Sequence, residues 1–293
     1  MSNDIMAKLE IWRRKIEGCA GQNLPHANNI LHKLKLPNAR TQKWIDAFGT
    51  LIPRYLQFRT ATIDKRNLQD PYQNLVLRLN RYLDILRSPR CSKVFSPQSD
   101  FASSVIPEFF YILLNGIVQS RGMEYEVSAQ KDLVVECLFD SLDNGRLIFK
   151  KKRVDVAVLQ PASLEFNDKV QNDFSIPVVA MEVKTNVDKN MISGIEHAVE
   201  SLKRTFPRCL YFAVAEFADF ALEKQNYATT EIEEIIILRK QKRSNVRRGA
   251  TAQGVDLDIV NWLAKRVIKH LELSSGATSS LSDRMSKGFL IRG

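Results

Sequence analysis

The sequence predicts an α/β fold in which a mixed central sheet is flanked by helices and preceded by a helical N-terminal region. Three observations predict it. Residues 103–118 form an apolar stretch of helical character. Strand-like apolar runs follow at Leu133–Phe139, Leu147–Leu159, Val178–Thr185 and Cys209–Phe217. Between the last two runs, Ile195, Val199, Leu202 and Phe206 recur at helical spacing. The resulting order is helix, three strands, helix, strand.

In Asp4–Glu17, Ile5, Leu9, Trp12 and Ile16 share one helical face. Gly18, Gly21 and Pro25 break that helix, and Ile30–Leu36 is a short apolar-basic segment ended by Pro37. Thr41–Phe58 predicts a helix interrupted near Pro53, because proline has no N–H to donate and its ring meets the carbonyl one turn back. In Pro71–Leu86, Leu75, Leu79, Tyr82 and Leu86 line one face. Residues 1–95 thus read as a basic helical region. It either contacts DNA or another subunit, or simply covers the core. Arg90–Asp100, rich in Ser, Pro and Lys, is the internal boundary. Residues 96–275 form the main domain, and 276–293 read as a flexible tail.

Within the main domain, Ser103–Val118 carries Glu108 on an otherwise apolar face, with Pro107 in its first turn and Ser103 or Ser104 as cap. Gln160–Ile176 reads as a long polar connection. Pro207 ends the helix over Ser193–Phe206, and Glu231–Lys240 reads as a further strand. Asp256–Leu273 predicts a final helix with Leu257, Val260, Leu263, Val267 and Leu271 on one face and Trp262 off it.

The chemistry gathers at Val178–Thr185. Strand periodicity puts Glu182 and Lys184 on one face, with Met181 and Val183 on the other. An acid and an amine near the end of a buried strand are costly unless paired, solvated or bound to metal. Upstream, the strand Arg153–Leu159 carries a single carboxylate, Asp155, 27 positions before Glu182. If the two strands pair, both acids converge. Two hard carboxylates with open positions suit Mg²⁺, which is held by one or two carboxylates together with substrate phosphate. Lys184 would then orient or activate water and offset charge on the reacting phosphorus. A solvated strand end with a local ion pair is the competing reading.

Asp155, Glu182 and Lys184 resemble the PD-(D/E)xK nuclease superfamily, an acid followed after a gap by an acid-x-lysine strand. Val154 stands where that pattern has proline. The order of elements over Ser103–Phe220 is also similar. Within the superfamily, Ser104–Phe110, Met181–Thr185 and Ile236–Lys240 look like type II restriction endonucleases of the BbvCI and DdeI kind. The resemblance implies a restriction-endonuclease-like core at 96–275 and Mg²⁺-dependent cleavage of duplex DNA at a short sequence. It also implies catalysis by Asp155, Glu182 and Lys184, with metal on Asp155 and Glu182. Superfamily members often add a helix acid, making Glu108 a candidate third ligand; a first-turn glutamate favoured by the helix dipole is the alternative. Glu136, on the next run, is a similar outside candidate. A second subunit, identical or homologous, is the implied partner.

The net charge of +10 favours a polyanionic partner, with duplex DNA first. Lys150, Lys151, Lys152 and Arg153 lie just before Asp155 and are candidate phosphate contacts. So are Arg239, Lys240, Lys242, Arg243, Arg247 and Arg248, interleaved with Gln241 and Asn245. Cys19, Cys91, Cys137 and Cys209 form no C-x-x-C pair, arguing against a zinc site or disulfide framework. His197 reads as a helix-surface residue. The N-terminus lacks the apolar core of a signal peptide, and no apolar run long enough for a membrane span is expected. The absence of a phosphate-binding G-x-x-x-x-G-K-[ST] loop argues against a nucleotide cofactor. A bacterial cytoplasmic protein associated with DNA is the expectation. Two alternatives remain open: a repair, recombination or mobile-element nuclease of the same fold, and a DNA-binding module with a degenerate site.

Overall fold

The computed structural model describes residues 2–18, 24–96, 100–140, 146–166, 169–219 and 230–275, with 286 and 288. Cys19 and most of the tail at 276–293 lie outside the described residues. The N-terminal elements are α1 (Ser2–Glu17), α2 (Pro25–Lys35), a 3-10 turn (Pro37–Arg40), α3 (Gln42–Arg59) and α4 (Gln73–Arg87), followed by the short α5 (Pro89–Ser92) and α6 (Asp100–Ser103). After them come α7 (Val105–Ser120), β1 (Glu126–Asp140), β2 (Arg146–Phe166), β3 (Lys169–Val187), α8 (Lys189–Thr205), β4 (Leu210–Ala218), β5 (Glu234–Ile237), α9 (Arg243–Arg247) and α10 (Leu257–Ser274).

The sheet order is β1-β2-β3-β4-β5. The first three strands are antiparallel neighbours, whereas β3, β4 and β5 run parallel. The parallel step from β3 to β4 requires a crossover, and α8 supplies it. Alternation along β3 divides the core. Val179, Met181 and Val183 pack with α7, α10 and the N-terminal helices, while Ala180 packs with Ile195, Val199 and Leu202 of α8. Leu9, Phe48, Tyr55 and Leu79 share one continuous cluster with Phe109, Val156 and Leu263, so the N-terminal helices build the same core as the sheet.

Four expectations need correction. Helix α3 runs through Pro53 without interruption. Its buried face, Phe48, Leu51, Ile52, Tyr55 and Phe58, stays in register across the proline. Burial of large apolar side chains, at about 1.5–3 kcal/mol each, outweighs the roughly 3 kcal/mol that the proline costs. Gln160–Ile176 is not a connection but the far half of the β2–β3 hairpin, with Gln160 paired to Ile176 and Phe166 to Lys169. Gln160, Pro161 and Ser163 are exposed there, so this part of the ribbon carries no apolar alternation to read. The predicted strand Glu231–Lys240 is regular only over Glu234–Ile237, although Glu233, Leu238 and Arg239 still donate backbone hydrogen bonds to β4. Finally, Asp100–Ser120 is long and apolar enough to cross a membrane by length and composition. Phe109, Phe110, Leu113, Leu114 and Ile117 of this segment are buried in the protein core.

Candidate active site

The β2–β3 ladder pairs Val156 with Met181 and goes no further toward Asp155. Beyond that point the Asp155 side chain takes over the pairing role: Oδ2 accepts a hydrogen bond from the Val183 backbone N–H at 2.7 Å. Its Oδ1 accepts from Gln130 Nε2 at 3.0 Å. Burial pushes the Asp155 carboxyl above its ordinary range; the Val183 N–H opposes this, the Glu182 charge adds to it, and Lys184 and Gln130 oppose it.

Glu182 and Lys184 share a face as their spacing requires, and Lys184 Nζ donates to Glu182 Oε1 at 2.7 Å. The Glu182 side chain is 14% exposed and that of Lys184 38%, so the pair sits at the boundary between core and solvent. Burial would lower the Lys184 pKa. The hydrogen bond and charge of Glu182, with the charge of Asp155, outweigh that and hold it above its usual value. Tyr211, fully buried on β4, lies 3.4 Å from Glu182 Oε2. Nothing in the amino-acid pattern singles out Tyr211 within an apolar strand, or Gln130 within β1.

A cleft of about 720 Å³ opens here, lined by Gln130, Asp155, Lys184, Asn186, Ser104 and Arg243 among others. The described residues contain no group of three or more His, Cys, Asp or Glu that could hold a metal ion. What the site offers is two carboxylates beside a lysine. That donor set fits Mg²⁺, which keeps several waters and completes its shell with substrate oxygens.

Glu108 is placed elsewhere. Its Oε2 accepts from the backbone N–H groups of His26 and Ala27 at 2.8 and 3.0 Å, and its Oε1 accepts from the Tyr55 hydroxyl at 2.6 Å. The cap position of α2 is Leu24, which has no side-chain oxygen, so Glu108 caps α2 from another helix. Its carboxylate is fully buried and engaged by these donors, and Glu108 is not carried into the metal set. Glu136 is paired with Lys150 at 3.1 Å on the exposed part of the β1–β2 ribbon. His197 is exposed on α8, as expected.

The basic candidates separate into two groups. Arg239 is 1% exposed, pairs with buried Glu216 at 2.7 Å and lies over the Phe217 ring. It also donates to the Gln253 carbonyl, and Arg87 closes on the same Glu216 carboxylate. Arg239 is therefore a core residue, not a DNA contact. Burial of its charge is tolerated because Glu216 matches it. Lys150 pairs with Glu136, Arg153 is bidentate to Asp132 at 2.8 and 2.9 Å, and Lys240 pairs with Asp256 at 2.7 Å. Lys151, Lys242, Arg247 and Arg248 are exposed, and Arg243 lines the cleft. Asp219 anchors α9 by accepting from the backbone and hydroxyl of Ser244 at 3.0 and 2.8 Å.

Asp155 on β2 and the Glu182–Lys184 pair on β3 thus meet where the two strands of the mixed sheet part. Residues 144–258, which contain Asp155, Glu182, Lys184 and the α9 basic run, match the family model described as Bpu10I restriction endonuclease. A solved structure, native BbvCI A2B2 tetramer at low resolution, has the same fold with a TM-score of 0.67 and 22% identity, covering 89% of this chain and 99% of that one. No curated protein matches the chain. Family match and fold together support a type II restriction endonuclease, and favour neither a repair nuclease nor a degenerate binding module.

Proposed function

We propose that this chain is a Mg²⁺-dependent subunit that hydrolyses one DNA strand at a short specific sequence through Asp155, Glu182 and Lys184. The observation that carries the reading is the meeting of Asp155 with the Glu182–Lys184 pair where β2 and β3 part. Asp155 and Glu182 would hold the ion. When bound, it supplies Lewis-acid polarisation of the scissile phosphate. Lys184, positioned by Glu182, orients water and places a cation where negative charge develops in the transition state. Glu216 and Arg239 brace β4 against the segment that follows β5 and are assigned no part in the chemistry.

Lys150, Lys151, Lys152, Arg153, Lys240, Lys242, Arg243, Arg247 and Arg248 remain the candidate phosphate contacts; Lys150, Arg153 and Lys240 are exposed although each is paired with an acid. Replacing Lys242, Arg247 and Arg248 with alanine should weaken binding to every duplex alike. The dependence of log K on log salt should flatten by about 0.9 for each phosphate that is no longer neutralised. Titrations at several salt concentrations check this; an unchanged slope moves the DNA surface elsewhere.

A chain with one such centre cuts one strand per orientation, and two centres related by a two-fold or pseudo-two-fold axis are needed for both. The A2B2 assembly of the fold relative supports a second subunit for this chain. Purified chain is expected to nick supercoiled plasmid at a short sequence when Mg²⁺ is added, or to linearise it if it dimerises. Sedimentation and mapping of the ends distinguish these outcomes. Sequence-independent cleavage at branches or mismatches, or no metal-dependent cleavage with any partner, overturns the reading.

A further inference from the structure

Gln130 is the one described non-glycine residue with a positive φ, 54°. For a residue other than glycine this conformation costs on the order of 1–2 kcal/mol, and it persists only where the surroundings require it. Its place in the sheet shows what requires it. Ala129 pairs with Val156 and Lys131 with Val154, leaving Gln130 opposite Asp155. On β2, Val154 packs toward α8 whereas Val156 packs toward α7, although residues two apart in a regular strand face the same way. On β1, Val127 and Leu133 break the alternation in the same manner. Both strands therefore change face at the Gln130–Asp155 step. That turn delivers Asp155 to the cleft instead of the core.

Glycine or asparagine would take this backbone conformation more readily, but neither would bring the glutamine amide to the site. Gln130 Nε2 reaches Asp155 Oδ1 at 3.0 Å while the Val183 N–H holds Oδ2 at 2.7 Å. Two donors from two different strands fix the plane of the carboxylate, where one would leave it free to rotate. We propose that Gln130 is a positioning residue, a strained β1 position whose amide aligns the Asp155 carboxylate for a divalent cation. The inference rests on the assignment of Asp155 as a metal ligand.

Calorimetric titration of the DNA-free chain with MnCl₂, alongside thermal unfolding, tests it. Gln130→Met keeps the length of the side chain and removes the donor. It should bind Mn²⁺ about tenfold more weakly, the usual scale for losing a hydrogen-bond partner of a metal ligand, with an unchanged unfolding midpoint. Gln130→Gly relieves the backbone and should show the same loss of Mn²⁺ affinity with a midpoint no lower than that of the wild type. Asp155→Ala is the control and should lose this binding. If Asp155→Ala loses Mn²⁺ while Gln130→Met retains wild-type affinity, the positioning role is overturned and the active-site assignment stands. If Asp155→Ala also retains it, the assignment itself fails. A Gln130→Gly protein that unfolds earlier than the wild type overturns the role of strain.

Discussion

Asp155→Ala should lower Mg²⁺-dependent cleavage by a factor on the order of 10³ or more, because losing a ligand forfeits several kcal/mol of transition-state stabilisation. Duplex binding should survive, since the carboxylate is assigned to the ion and the phosphates are held by lysine and arginine. The structure adds a refinement. Asp155 also accepts the Val183 N–H where the β2–β3 ladder stops, so alanine leaves that donor without its partner. Asp155→Asn retains an acceptor for it and removes only the charge, and should be equally inactive but more stable. Lys184→Met should cost about 10²–10³, the scale of removing one oriented group from a developing charge. Single-turnover cleavage, paired with binding measured in Ca²⁺, separates these effects. Near-normal cutting by Asp155→Ala removes the proposed site.

The candidate site is legible in the sequence because its layout depends on short-range regularities. Period-two alternation suffices to put Glu182 and Lys184 on one face and to mark Asp155 as the lone acid in an apolar strand. The order of elements around them follows from apolar periodicity, which the core enforces. What escaped depends on register and long-range packing. Arg239 reads as the start of a basic run, and only the parallel alignment of β4 with β5 brings Glu216 to it. Gln130 is inconspicuous in sequence, since its significance lies in a backbone angle and an opposing residue on the next strand. The distal β2–β3 hairpin escaped for a different reason: an exposed ribbon is held by its backbone ladder and leaves little apolar pattern.

Glu108 carries the other large expected effect, and it concerns folding. Its carboxylate satisfies two of the first N–H groups of α2 and the hydroxyl of Tyr55, all in the core shared by the N-terminal helices and α7. Beside it, His26 is completely buried, with its ring nitrogens on Ser104 Oγ and the Tyr82 hydroxyl. Burial drives the His26 pKa down to about 3, so the ring stays neutral and contributes no compensating charge. Glu108→Ala should therefore destabilise the chain by about 2–6 kcal/mol, at roughly 1–3 kcal/mol for each buried N–H left unpaired. Glu108→Gln should recover most of this, because one amide oxygen can accept both N–H groups while the amide nitrogen faces Tyr55. Burial also raises the Glu108 pKa, against the lowering effects of Tyr55, the α2 N–H groups and Arg59. The folded state then holds a proton that the unfolded state has released, so stability should fall as pH rises from the ordinary carboxylate range through the raised value. Glu108→Gln should lose that dependence. Urea unfolding across this pH range checks both expectations, and cleavage by folded Glu108→Gln supplies the decisive comparison. A variant that folds like the wild type yet no longer cuts in Mg²⁺ would return this carboxylate to the metal site, whereas wild-type cleavage with altered pH dependence of stability leaves it as the cap of α2.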